Sequence, residues 1–186
     1  MKHMLLTIAD DIVRFFFDYA ETGAKLAGVA VIIYWCVVLV WRVCLEKTEP
    51  RLAIVGVKSI FLFMLVMYVY IVIGITVLSR SESQNSYAFF ELFRTFQNTF
   101  FAKKQICENI LLLMPYSVLL FGMSSKMRNG WLMFGAGLIS SLAIEITQLV
   151  TYTGYFEIDD IWTNVLGMML GYFGCTMVRW IYRLLR

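Results

Sequence analysis

One carboxylate of this chain stands inside a long apolar stretch. Sixteen uncharged residues precede Glu145 and eleven follow it. An ionisable side chain in hydrocarbon costs at least about 2.5–3.5 kcal/mol, so it is expected to face a partner or a cavity. Ser141, four residues before, and Gln148, three residues after, fall on the same side of a helix as Glu145. The three form a polar stripe pointing into a bundle. A carboxyl held in such a place can take up or release a proton as a general acid or base.

Glu157, Asp159 and Asp160 stand directly before the apolar run Ile161 to Val178. One acid at a helix N-terminus caps free N–H groups and complements the helix dipole. Three acids in four positions, in a loop with no basic residue, exceed what capping requires. Asp159 and Asp160 are candidate oxygen ligands for a divalent cation. No histidine, nucleophile motif or complete metal pattern accompanies them, and nothing in the sequence calls for a cofactor. Asn164 lies one turn beyond Asp160, and Gly167, Gly171 and Gly174 continue along that run in the small-xxx-small manner that permits close helix packing. Glu108 and Asn109 open another apolar run, with Pro115 inside it freeing a carbonyl that a neighbour must satisfy. Arg80 closes an earlier run, as a counter-ion for the acids or as a snorkelling arginine. Arg80, Glu108, Asn109, Glu145, Gln148, Asp159, Asp160 and Asn164 are therefore expected in one half of a membrane, around a polar pocket between helices. A purely structural polar cluster is the alternative reading.

The elements that position these residues follow from composition. The chain has 186 residues, 60% of them apolar and 16% charged, with a mean hydropathy of +0.74. A soluble domain is roughly 45–50% apolar and about 25% charged, and a globule this small has too little interior to hide the excess. Soluble enzymes, disordered tails and secreted disulfide scaffolds are poor fits; an all-α, multi-pass integral membrane bundle is expected. A crossing needs roughly 20 apolar residues, and five are legible: Lys25 to Arg42, Ser59 to Ser79, Ile106 to Ser125, Asn129 to Tyr155 and Ile161 to Val178. Two more helices are expected in the membrane interface. Residues 4–24 place Asp10, Asp11, Arg14, Asp18 and Glu21 at helical spacing opposite Leu6, Val13, Phe16, Phe17 and Ala20, which predicts an amphipathic helix. Phe89, Phe93, Phe96 and Phe100 form a ridge opposite Glu91, Arg94, Gln97 and Asn98, which predicts an interfacial or re-entrant helix or a lid over a site. With two prolines, no repeat and no Gly/Ser linker, residues 1–186 read as a single membrane domain.

Five crossings put the first and third loops and the C-terminus on one side with nine Lys/Arg, against seven on the other. The excess predicts a cytoplasmic C-terminus and an outer N-terminus, so the polar pocket is expected to open outward. The basic residues are scattered, which gives no support to nucleic-acid binding. Cys36, Cys44, Cys107 and Cys175 form no CxxC pair and read as small apolar residues.

Two stretches resemble the VanZ-like family of bacterial membrane proteins. Asn109 to Leu120 is similar to the family's asparagine-to-proline helix. Glu145 to Gln148, followed by Phe156 to Asp160 and Asn164 to Gly167, resembles its E-x-x-Q and D-D-x-x-x-N-x-x-G pattern. Arg80 resembles the arginine near the end of an earlier helix. The likeness covers about residues 80–175. It departs at Ser117, where many members carry glycine, and between Thr151 and Phe156, where many carry an arginine that is missing here. The resemblance implies residence in the bacterial cytoplasmic membrane and a role in susceptibility to glycopeptide antibiotics, teicoplanin in particular.

Three functions remain open at this point. The first is an outer-leaflet pocket that binds a membrane lipid, a lipid-linked cell-wall precursor or the antibiotic's acyl tail, and so lowers glycopeptide sensitivity. The second is an intramembrane enzyme acting on a lipid-linked envelope substrate, with Glu145 as acid or base or with a metal at Asp159 and Asp160. The third is a small transporter with Glu145 as a relay, against which the lack of an inverted repeat weighs.

Overall fold

A computed structural model describes residues 2–44, 52–81, 87–91 and 99–186. Five helices are long and apolar enough to cross a membrane, as expected. They are α1 (Lys2–Cys44), α2 (Leu52–Ile73), α3 (Phe100–Met123), α4 (Gly130–Val150) and α5 (Ile158–Leu184). Two two-residue strands, β1 (Ala88–Phe89) and β2 (Phe156–Glu157), pair in parallel between the helix ends.

Each helix boundary has a local cause. The Thr99 hydroxyl accepts from the Ala102 N–H and starts α3, and the Asn129 side chain accepts from the N–H groups of Trp131 and Leu132 and starts α4. The last turn of α4 closes when the Thr153 N–H donates to the Gln148 carbonyl at 3.1 Å. Tyr152 sits within that turn at φ 58°, in the left-handed conformation that glycine usually supplies where a helix ends in this way. The chain thereby reverses in a few residues and sets β2 beside the end of α4.

The centre of the molecule is the crossing of α3 with α5. Gly167 faces the Ile110 backbone and Gly171 faces the Met114 carbonyl and the Ser117 hydroxyl so closely that a Cβ on either would collide. Gly167 and Gly171 bring two backbones together, as their spacing predicts, whereas Gly174, where the crossing helices have diverged, has open space beside it. Ser117 is fully buried here and donates its hydroxyl to the Met114 carbonyl at 2.8 Å. Leu113, Met133 and Met168 form the apolar core beside this crossing. The helix α2 joins through the Tyr68 hydroxyl, which donates to the Leu112 carbonyl at 2.8 Å.

The structure corrects the expected division of the N-terminus. The amphipathic stretch 4–24 is helical, but it is not a separate interfacial element: it continues into the first crossing as one 43-residue helix. The reason lies at Gly23, which has no proline near it and is buried against the Met67 carbonyl and the Tyr70 ring of α2. Packing there carries the helix through. The Phe-rich helix expected near Phe89 to Phe100 falls largely on residues 92–98, outside the described residues. At its edges Phe89 belongs to β1 and Phe100 opens α3.

Candidate functional site

The site forms where α2 and α4 end and α3 and α5 begin, at one end of the bundle. The helix α2 widens into a π turn over Gly74–Leu78 before reaching Arg80. The last carbonyls of a helix have no intrahelical donor, and that of Thr76 accepts instead from the Gln148 side-chain amide at 3.0 Å. Gln148 thus ties α4 to the end of α2. The Arg80 guanidinium is exposed and lies over the same turn, beside Gly154 and Gln148.

Glu145 is 2% exposed. Its Oε2 accepts the Glu157 backbone N–H at 3.0 Å, at the N-cap position of α5. Glu157 supplies no side-chain cap of its own, so a carboxylate from the neighbouring helix meets the positive end of α5. The bond meets the positive end of α5 and fixes the strand β2. Arg80 lies within electrostatic reach of both Glu145 and Asp160, and Glu157 lies within reach of both as well.

The first turn of α5 is held from α3. The Gln105 amide donates to both oxygens of Asp160 at 3.1 Å and reaches Glu157 at 3.5 Å. Asn109, one turn further on, hydrogen-bonds Asp160 and donates to the Thr163 hydroxyl at 3.2 Å. That hydroxyl in turn donates to the carbonyls of Asp159 and Asp160. Asp159 is buried in the same turn. Deeper in the bundle the Asn164 amide donates to the Ser141 hydroxyl at 3.0 Å. Asn164 is 1% exposed, and its Oδ1 has no hydrogen-bond donor among the described residues. A buried amide oxygen left open is expensive, and the position suits a water or the hydroxyl of a guest.

Arg80, Asn109, Glu145, Gln148, Asp160 and Asn164 are therefore drawn into one polar layer, with Asp159 buried at its edge. Glu108 is not part of it. It pairs with Lys104 at 3.3 Å, and Lys104 pairs with Asp11 of α1 at 2.8 Å. Depth along α3 puts Glu108 beside Asn109, but the helical turn points it towards α1. Gln105 and Thr163 were not anticipated. The spacing holds their signal, since Gln105 is one turn before Asn109 and Thr163 one turn after Asp159 on the same faces. As for a metal at Asp159 and Asp160, no group of three His, Cys, Asp or Glu side chains suited to hold one converges among the described residues.

A roof and a side groove complete the site. The parallel pairing of β1 with β2 lays residues 87–90 over the start of α5, anchored by the Phe156 N–H donating to the Tyr87 carbonyl at 3.1 Å. Tyr87 stacks on Tyr155, and Phe90 packs on Phe156. Below the polar layer, a groove of about 360 Å³ opens between α2, α3 and α4. Its walls include Val69, Val72, Leu113, Tyr116, Ala143 and Ile144, and its upper rim carries the hydroxyls of Thr76 and Thr147. Thr76 belongs both to the groove and, through its carbonyl, to the polar layer. The arrangement offers polar contacts at one end and an apolar slot at the other.

No curated protein and no solved structure matches the chain. The family model of the VanZ/LLP1 proteins matches residues 59–183, a stretch that runs from within α2 to the last turn of α5 and includes every residue of the polar layer. The chain belongs to the VanZ/LLP1 family.

Proposed function

We propose that this protein is a multi-pass protein of the bacterial cytoplasmic membrane that lowers susceptibility to lipophilic glycopeptide antibiotics such as teicoplanin. It does so by engaging an amphiphile from the outer leaflet: the antibiotic's acyl tail, a lipid or a lipid-linked cell-wall precursor. The polar layer of Arg80, Asn109, Glu145, Gln148, Asp160 and Asn164 receives the head, and the groove between α2, α3 and α4 receives a chain. The observation that carries this reading is the continuity of the two through Thr76, with a slot of ligand-pocket size. A structural polar cluster needs no apolar slot beside it. The outward opening rests on the distribution of Lys and Arg between the loops.

Filling the groove tests the reading. Ala143 lines it and is exposed, so Ala143→Trp obstructs the slot without touching the polar layer. Cells lacking the protein are complemented with wild type or Ala143→Trp at equal membrane abundance. Wild type is expected to raise the inhibitory concentration of teicoplanin more than that of vancomycin, and the variant to lose that difference. Equal protection by both forms would contradict the reading.

A further inference from the structure

The end of the bundle opposite the polar layer carries a cluster of arginines. Arg179 and Arg183 are one turn apart near the end of α5, so they share one face of that helix. Arg128 stands in the short turn Ser125–Arg128 that joins α3 to α4. Arg183 and Arg128 both lie within electrostatic reach of Arg179. Three like charges from two parts of the chain thus converge. Among the described residues no carboxylate forms an ion pair with any of them.

Their meeting is built by packing. The Tyr172 hydroxyl of α5 donates to the Arg128 carbonyl at 3.1 Å, which ties the turn to the helix. The Phe121 ring of α3 meets Tyr172 edge to face, and the Arg128 guanidinium lies over that same Phe121 ring, 5.6 Å from its centre. Arg128 is therefore held at backbone and side chain alike. The positive end of α4, capped by Asn129, opens beside it and adds to the same field. Loop cations set membrane topology by their number, which does not require them to be gathered and held in this way.

Depth identifies the anion that suits them. The apolar run of α5 ends at Val178, so Arg179 stands at the edge of the hydrocarbon and Arg183 about 6 Å beyond it. Trp131, the second residue of α4, is 84% exposed, and Trp180, beside Arg179, is 61% exposed. Exposed tryptophans at helix ends mark the headgroup layer, where lipid phosphates lie.

We infer that Arg128, Arg179 and Arg183 form a binding site for the phosphodiester headgroup of an anionic membrane phospholipid. Guanidinium groups donate paired N–H bonds to phosphate oxygens, and a net negative headgroup relieves the repulsion among three neighbouring cations. A zwitterionic lipid brings a cation of its own and relieves less. The site lies about 30 Å along α5 from Asp160, in the leaflet opposite the polar layer, and it stands independently of the function proposed above.

Native mass spectrometry of the full chain in detergent, with dioleoyl phosphatidylglycerol or dioleoyl phosphatidylcholine, tests the site. At equal lipid concentration the fraction bound to phosphatidylglycerol is expected to be at least fivefold the larger. Arg128→Gln, Arg179→Gln and Arg183→Gln together are expected to lower it at least fivefold. A control triple, Arg14→Gln, Lys25→Gln and Lys103→Gln, removes as many exposed charges from the other residues and is expected to change it less than twofold. Arg128→Lys, Arg179→Lys and Arg183→Lys together keep every charge, and with it the topology, and are expected to lower binding at least twofold. Equal binding of the two lipids would overturn the site, as would equal losses from the two glutamine triples. Full binding by the lysine triple would overturn the guanidinium–phosphate contacts. Displacement of the lipid by excess inorganic phosphate would overturn the choice of a lipid over a free anion.

Discussion

The α4–α5 pair and the N-terminal half of α1 face the same problem and meet it differently. Both carry carboxylates and amides or cations inside the apolar thickness. In α4 and α5 these groups are turned inward and met by the chain's own atoms: Glu145 by the Glu157 N–H, Gln148 by the Thr76 carbonyl, and the Asn164 amide N–H by Ser141. In α1 the charges are turned outward, and Glu21 and Lys25 meet each other one turn apart on the same helix. The difference teaches where each cluster acts. Polar groups enclosed by three helices build a site, whereas the charges on the outer face of α1 pair along their own helix.

The largest expected effect breaks the enclosure itself. Gly167→Leu drives a side chain into the Ile110 backbone, and the helix crossing that seats the polar layer cannot form. A destabilisation of about 3 kcal/mol or more is expected in thermal unfolding of the purified protein, with loss of the folded form in membranes. Next comes the post under α5. Glu145→Ala leaves the buried Glu157 N–H without its acceptor and is expected to cost about 1–3 kcal/mol. Glu145→Gln keeps an oxygen in place and is expected to cost less than half as much. Chemical unfolding of the two variants side by side separates the bond from the charge.

The contrast sharpens at α1. Glu21→Lys touches no enclosed group, so the detergent-solubilised protein is expected to change in stability by no more than about 0.5 kcal/mol. Similar losses of stability for Glu21→Lys and Glu145→Ala would erase the distinction between the two regions. The smallest effect is at the turn that leads from α4 to β2. Tyr152 occupies a left-handed conformation that costs a side chain roughly 1–2 kcal/mol and glycine little. After glycine's greater entropy loss on folding, Tyr152→Gly is expected to raise stability by about 0.5 kcal/mol, read as a small upward shift in melting temperature.

Much of this was legible along single helices and little of it between them. Glu145 and Gln148 share one helix, so a spacing of three sufficed to place them together. The stretch Gly167 to Gly174 announced a close crossing, and Gly167 and Gly171 make it. Glu108 shows the limit: its depth matched the polar layer, but only the packing of α3 against α1 reveals that it faces Lys104 and Asp11. The groove has no signature in sequence because its apolar walls come from three helices, each with residues indistinguishable from lipid-facing ones. Periodicity in residues 4–24 correctly gave a helix with a charged face. It did not reveal that Gly23 docks on α2, which holds that face at membrane depth rather than on the surface.

The central claim is that the enclosed polar layer works on an amphiphile rather than merely holding helices together. The most direct measurement is teicoplanin susceptibility, with vancomycin as control, in cells that lack the protein and are complemented with wild type or Glu145→Gln at matched membrane levels. The amide preserves an acceptor for the Glu157 N–H and cannot take up or release a proton. Loss of teicoplanin protection in a variant that still folds is the predicted result. Protection equal to wild type would show that the carboxylate only supports the fold and would contradict the account.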